Sequence, residues 1–316
     1  MFKRIVCLVA LLTVISNGPS FGQQPAPPEL GPAELQELIR RAALSVGAYQ
    51  TKFKDLTAEE DQKVEEYDVQ GKVEKQRRIE SDLFIYQSQL DPSQMVEYRD
   101  VKAVDGKPIK KREARLVNLF NRSAKSASVK KELDRINQES RRYDLSFSVY
   151  GLTLHPGMSL SENVRDAFRY AYVGREQLDG HDVIVVDYQQ VSQTPHINVT
   201  LKLPTPLKGS EAFHRGRLWL DAETAQIRRE IREFTLQPPS VNRPLVFFRY
   251  EFEYADSRFG FLTPKRIVIT NNTRGRTGAD KTPELLLGGR ITFEYGAFTR
   301  FDVDTPDASV TPPAKP

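Results

Sequence analysis

The chain has 316 residues, with 46 lysines and arginines against 42 acidic residues, for a formal net charge of +4. The two signs are interspersed, which excludes the concentrated positive footprint of a nucleic-acid binder. The single cysteine, Cys7, excludes an internal disulfide, so the core must hold the fold unaided. Residues 1–22 carry Lys3 and Arg4, an apolar run from Ile5 to Ile15, and Ser20-Phe21-Gly22, the layout of a secretory signal peptide, so the mature chain is expected to start at Gln23. Cys7 stands at the beginning of the apolar run, where a lipoprotein signal would place it at the end, and lipid anchoring is not expected. No later run approaches the ~20 apolar residues of a membrane-crossing helix, so the expected product is a soluble, exported, periplasmic protein without an integral membrane segment.

Residues 23–32, QQPAPPELGP, read as a proline-rich leader, and residues 304–316 as a disordered tail of the same character. One continuous domain, 33–303, is expected between them. After Pro32, apolar residues at Leu35, Leu38, Ile39, Ala42, Val46, Tyr49 and Phe53 predict an amphipathic helix. From about Glu59 to Val104 three strand-like segments follow, ending at the turn pair Asp105-Gly106. The first of them is so charged that it reads as an edge strand. Lys111 to Tyr143 returns to helical spacing, with Leu116 and Phe120 in one segment, Val129, Leu133 and Ile136 in another, and serines between Ser123 and Ser128 breaking the two apart.

The remainder is strand. Phe168–Gly174 and Asp182–Gln190 flank the turn Leu178-Asp179-Gly180, and Ile197–Leu203 supplies a further strand. Leu245–Ala255 and Phe261–Asn271 predict a hairpin in which Val246, Phe248, Tyr250, Phe252 and Tyr254 share one face while Phe247, Arg249, Glu251 and Glu253 take the other. Ile291, Phe293, Tyr295 and Ala297 repeat the pattern in the last strand. Between these lies GRLWLDAETAQIRREIREF, Gly216 to Phe234. A four-residue loop at Ala222–Ala225 sets Asp221 opposite Gln226, Trp219 opposite Arg228 and Arg217 opposite Glu230, with Leu218, Leu220, Ile227 and Ile231 on the other face. The arginines then have a stacking ring and an ion-pair partner, as in an ordinary sheet wall; the rival reading is an anion or head-group site of Arg215, Arg217, Arg228 and Arg232.

Catalytic signatures are absent. His155, His181, His196 and His214 are scattered without metal-ligand spacing and are expected at the surface or in turns. There is no Gly-x-Ser-x-Gly elbow, phosphate loop, dinucleotide fingerprint or calcium loop. No catalytic residue, metal or cofactor is therefore assigned, and the chain does not read as an enzyme. Arg99, Asp100 and Asp105, close together in the sequence, read as structural ion-pair partners.

The motif LWLDAETAQIRRE, with Trp219, Leu220, Asp221, Ile227 and Arg228, together with the order signal peptide, helix, sheet, helical insertion and hairpins, resembles the LolA-like superfamily of outer-membrane lipoprotein carriers and lipoprotein-sorting proteins. The segment YRDVKAVDGKPIKKREARLVNLF, Tyr98 to Phe120, is also similar to uncharacterised exported proteins of soil bacteria. The resemblance implies an α+β fold: a curved antiparallel sheet, an incomplete barrel, with amphipathic helices covering its concave face and acyl chains admitted between the two. The expected ligand-binding face is Phe248, Tyr250, Phe252, Tyr254, Ile291, Phe293 and Tyr295, with Arg217, Trp219, Arg228 and Arg232 as a polar rim. The expected function is a non-enzymatic carrier of a hydrophobic ligand, a lipid or a lipoprotein acyl chain. The alternative is an envelope sensor or scaffold with a solid core that meets another envelope protein.

Overall fold

The computed structural model describes residues 30–300 apart from 89–90, 92–93, 113–127, 146–147, 150, 196, 198–206, 208, 240–242, 273 and 278–282. The expected signal peptide, the tail, the Leu116–Phe120 segment and the strand at Ile197–Leu203 thus lie wholly or almost wholly outside the described residues, as do seven of the ten residues of the leader, 23–29.

Helix α1, Pro32–Lys52, starts where the chain's own chemistry fixes it. Pro32 occupies the first turn, and the Glu34 carboxylate accepts the Gly31 N–H at 2.8 Å. Its buried stripe is Leu38, Ile39, Ala42, Val46 and Tyr49, the predicted face. Strands β1 (Leu56–Tyr67), β2 (Val73–Gln87), β3 (Met95–Val104) and the two-residue β4 (Lys107–Pro108) form a meander. The turn between β3 and β4 has Asp105 and Gly106 both at positive φ, which suits a two-residue hairpin. Helix α2, Val129–Ser140, and three single turns of 3-10 helix at Leu152–Leu154, Met158–Leu160 and Arg165–Ala167 lead into β5 (Phe168–Leu178) and β6 (His181–Gln190). Then come β7 (Glu211–Asp221), β8 (Ile227–Gln237), β9 (Leu245–Ala255), β10 (Thr263–Asn271), the small ribbon β11 (Arg274–Thr277) and β12 (Pro283–Leu286), β13 (Gly289–Tyr295) and β14 (Thr299–Arg300).

Twelve strands make one antiparallel sheet in the order β4-β3-β2-β1-β13-β10-β9-β8-β7-β6-β5, with β14 beside β1. Its two ends do not pair, so the sheet is an incomplete barrel. The charged β1 is not an edge strand: it lies between β2 and β13. Its charges are tolerated because alternate residues face outward and find partners, Glu59 with Lys102 at 3.0 Å and Lys63 with Glu65 at 2.7 Å, while Asp61 pairs with Arg78. The true edge on the far side is β5, where the register shifts between Tyr172 and Gly174, leaving the exposed Val173 as an extra residue.

Helix α1 covers the inner face, where its stripe packs with Ile184, Val186, Leu218, Leu220, Ile227, Phe252, Ile267 and Phe293. Helix α2 departs from the expected arrangement. Ile136 packs with Tyr86, Val96 and Tyr98 on the opposite face of β2 and β3, and the chain then passes over the edge of β3, where the Ser140 hydroxyl accepts the Arg99 N–H at 3.2 Å. The second cover of the inner face is instead the irregular segment around the 3-10 turns, which contributes Leu160, Val164 and Ala167 to the core. No described helix is long and apolar enough to cross a membrane.

Candidate ligand groove

On the inner face the rings of Tyr250, Phe252 and Tyr254 form a stacked ladder along β9, with centroids 6.3 and 6.4 Å apart, and Phe293 and Tyr295 repeat it on β13 at 6.4 Å. Ile267 stands between Phe252 and Phe293 in the register, and Ile269 between Tyr250 and Ile291, so the predicted residues join one continuous apolar surface. The alternation breaks at the start of β9. The register between β8 and β9 shifts at Phe234–Thr235, and Phe247, expected on the wet face, is buried with Phe234, Leu236 and Leu245; Phe248 is half-buried beside them.

Most of this surface is filled. Ile291 and Phe293 are 0% exposed and Phe252 is 1% exposed, so these side chains are packed core. Part of the cover is charged. The Arg99 guanidinium lies 5.0 Å from the Phe293 centroid and Arg232 lies 4.9 Å from that of Phe252. Arg99 bonds Glu60 at 2.6 Å and lies 2.7 Å from Glu97, while Arg232 bonds Glu230 at 2.9 Å. Burial alone would lower the pKa of Arg99, but Glu60 and Glu97 hold it well above the usual range, and burial in turn raises that of Glu60 despite Arg99.

Each arginine has a glutamate two residues before it on its own strand, and both glutamates fasten the same segment. Glu97 accepts the Gly151 and Thr153 N–H groups at 3.0 and 3.1 Å, and Glu230 accepts that of Gly157 at 2.9 Å. Arg232 donates to the His155 carbonyl at 3.1 Å. The segment therefore sits against the sheet as an internal cover. Gly216 keeps the arrangement open: a Cβ there would stand 2.5 Å from the Tyr188 hydroxyl, which donates to Glu230 at 3.0 Å.

The four residues expected at a polar rim lie in three different places. Leu220 faces Ile227, but the register then slips, so that Trp219 faces Arg229, Arg217 faces Ile231 and Leu218 faces Glu230. Arg228, the extra residue, swings to Asp221 at 2.7 Å and Asp256 at 3.3 Å, where His181 also approaches Asp256 at 3.2 Å. Arg217 and Trp219 are on the outer face: Arg217 bonds Asp187 at 2.6 Å, and Arg229, 5.0 Å from the indole centroid, takes the stacking position expected of Arg228. Ile231 joins Trp219 outside, correcting its expected place beside Leu218 and Leu220, while Arg232 is inside. His214 also departs from its expected surface or turn position. It is buried against Phe234, with neither ring nitrogen partnered among the described residues, and burial followed by Arg232 lowers its pKa to about 4. His155 is exposed, and His196 lies outside the described residues.

The open space lies at the end of the ladder. A groove of about 370 Å³ runs between α1 and the tips of the β7–β8 and β9–β10 connections, lined by Val46, Tyr49, Ile227, Tyr254, Phe261 and Leu262. Of the seven predicted ligand-facing residues, Tyr254 lines it. The helical stripe made Val46 and Tyr49 legible in the sequence; Phe261 and Leu262, in the connection after β9, carried no such signal.

No family model and no curated protein matches the chain. Among solved structures it is similar to a DUF1329 family protein from Desulfovibrio piger (14% identity, 86% of this chain and 95% of that one, TM-score 0.33). It is also similar to an outer membrane lipoprotein-sorting protein domain from Vibrio parahaemolyticus (10%, 84% and 94%, TM-score 0.32) and to a LolA superfamily protein from Nitrosomonas europaea (9%, 85% and 94%, TM-score 0.33). The architecture rests on the strand pairing given above.

Proposed function

We propose that the chain is an exported, periplasmic, non-enzymatic binding or carrier protein for a hydrophobic ligand, a lipid or a lipoprotein acyl chain, taken up between α1 and the sheet. The observation that carries the reading is the groove at Val46, Tyr49, Ile227, Tyr254, Phe261 and Leu262, whose 370 Å³ falls within the ~300–1,000 Å³ of small-molecule sites. Each methylene moved from water into such a lining contributes about 0.8 kcal/mol. The ladder residues Phe248, Tyr250, Phe252, Ile291, Phe293 and Tyr295 act behind it as the rigid wall that keeps the groove shaped. Leu44→Asp places a carboxylate in the lining at an exposed position and is expected to abolish saturable binding of a fluorescent fatty-acid probe to protein stripped of lipid, with the far-ultraviolet dichroism unchanged. Binding that survives this substitution counts against the groove.

A second reading, a solid scaffold that meets another envelope protein, is favoured by the complete coverage of Ile291 and Phe293. Mass spectrometry of an organic extract of the purified protein separates the two. Stoichiometric lipid is expected from a carrier; a clean extract together with no probe binding would leave the scaffold.

A further inference from the structure

The lining of the groove has a one-sided charge. Arg41 and Lys52 stand among its residues, and no aspartate or glutamate does, whereas the outer-face cavity lined by Arg217 and Trp219 mixes five arginines with Asp187 and Glu233. Arg41 and Lys52 are eleven residues apart on α1, so they share one helical face and stand about 16 Å apart along its axis, with the groove between them. Leu44, exposed at 62%, and Ala48 lie on the same face.

The two cations differ. Arg41 donates to the Glu223 carbonyl, which fixes its guanidinium against the β7–β8 turn and leaves further N–H groups available. Lys52 has no carboxylate partner among the described residues. A lysine in the last turn of a helix is stabilised by the helix dipole alone, so its presence there proves nothing about a ligand. Its surroundings say more. The next turn of the wall, around Gly260, is flanked by Arg258 and Arg300, each with its guanidinium 5.3 Å from the Phe259 centroid, and neither has a carboxylate partner among the described residues. Phe259 packs on Phe261, which lines the groove. Positive charge with no carboxylate partner among the described residues, that of Lys52, Arg258 and Arg300, thus gathers beside the groove, while Arg41 has Glu37 one turn away on the helix.

Size narrows the ligand further. The volume of about 370 Å³ is near the lower end for small-molecule sites, and the filled ladder behind it gives no room for several chains side by side. We propose that the groove selects a single-chain anionic amphiphile, its hydrocarbon chain lying along α1 and its acidic head held by Lys52 or Arg41. This rests on the reading of the groove as the ligand site and adds to it the head-group charge and the number of chains.

Titration calorimetry of lipid-stripped protein with dodecanoate, dodecyl phosphate and methyl dodecanoate tests it. Both acids are expected to bind about tenfold tighter than the ester, the value of one charge-assisted hydrogen bond, and the advantage is expected to shrink as salt is raised. The double substitution Arg41→Gln with Lys52→Gln is expected to erase the advantage while leaving binding of the ester unchanged. Equal binding of acid and ester by the unsubstituted protein overturns the head-group assignment and leaves the groove standing. Tighter binding of dispersed two-chain phosphatidylglycerol than of dodecanoate overturns the single-chain assignment. Failure of all of them to bind removes the groove itself and this proposal with it.

Discussion

His214 shows how burial writes itself into pH dependence. Its buried imidazole has no hydrogen-bond partner among the described residues, and burial lowers its pKa from the ordinary 6.5 to about 4. Between those values the unfolded chain takes up a proton that the folded chain refuses, so the stability attached to this residue is complete above pH 6.5 and drains away as the pH falls toward 4. The displacement corresponds to roughly 3 kcal/mol. His214→Leu is expected to remove this contribution. The difference in urea unfolding free energy between the unsubstituted and leucine proteins should fall by about that amount from pH 7 to pH 4, in ~0.1 M salt. A difference that stays level would mean that the imidazole gains a proton acceptor in solution. The burial was not legible beforehand, because a lone histidine in a strand carries no sign of which face it takes until the register is known.

At the scale of elements, the inner cover at residues 151–157 is held by two buried carboxylates, and its tightest point is Gly157. Its φ is +55°, and a Cβ there would lie 2.4 Å from Ile227 Cδ1 and 3.0 Å from Val46 Cγ2. Gly157→Ala is expected to destabilise the protein by about 2 kcal/mol, through backbone strain and overpacking together, seen as a lower urea midpoint with an unchanged slope. Retention of full stability would show that the segment can move off the sheet at little cost. Elements of this kind were the least legible in the sequence. Period-three-and-four spacing disclosed α1, and period-two spacing disclosed β9 and β13, because each buries one face over a long run. The extra residues at Arg228 and near Phe247 were invisible. A bulge inserts one residue without changing composition, yet every side chain beyond it turns to the other face. That single slip exchanged Ile231 for Glu230 in the interior and moved Arg232 from the expected rim to the core. The buried E-x-R pairs at Glu97–Arg99 and Glu230–Arg232 were hidden for a related reason: charge in a strand reads as a wet face, and these charges are satisfied by one another, by Glu60 and by a segment distant in sequence.

At the scale of the whole molecule, every described strand but β11 and β12 belongs to one sheet, and its first and last strands are neighbours, since β1 pairs with both β13 and β14. Such long-range pairing makes partial unfolding expensive. One transition is therefore expected, with Trp219 fluorescence and far-ultraviolet dichroism following coincident urea curves. The chain's only tryptophan sits on the outer face far along the sheet from β1, so two separate transitions would show that the halves unfold independently.

The unclosed sheet leaves β5 with one row of peptide groups facing no neighbour among the described residues, the kind of template on which other chains can stack into aggregates. The misfit at Val173 answers that hazard. By bending the strand out of regular pleat it spoils the long straight run that an incoming strand would need, with Arg169 and Arg175 adding charge on either side. A sheet that stays unclosed can in this way keep an open rim without recruiting copies of itself.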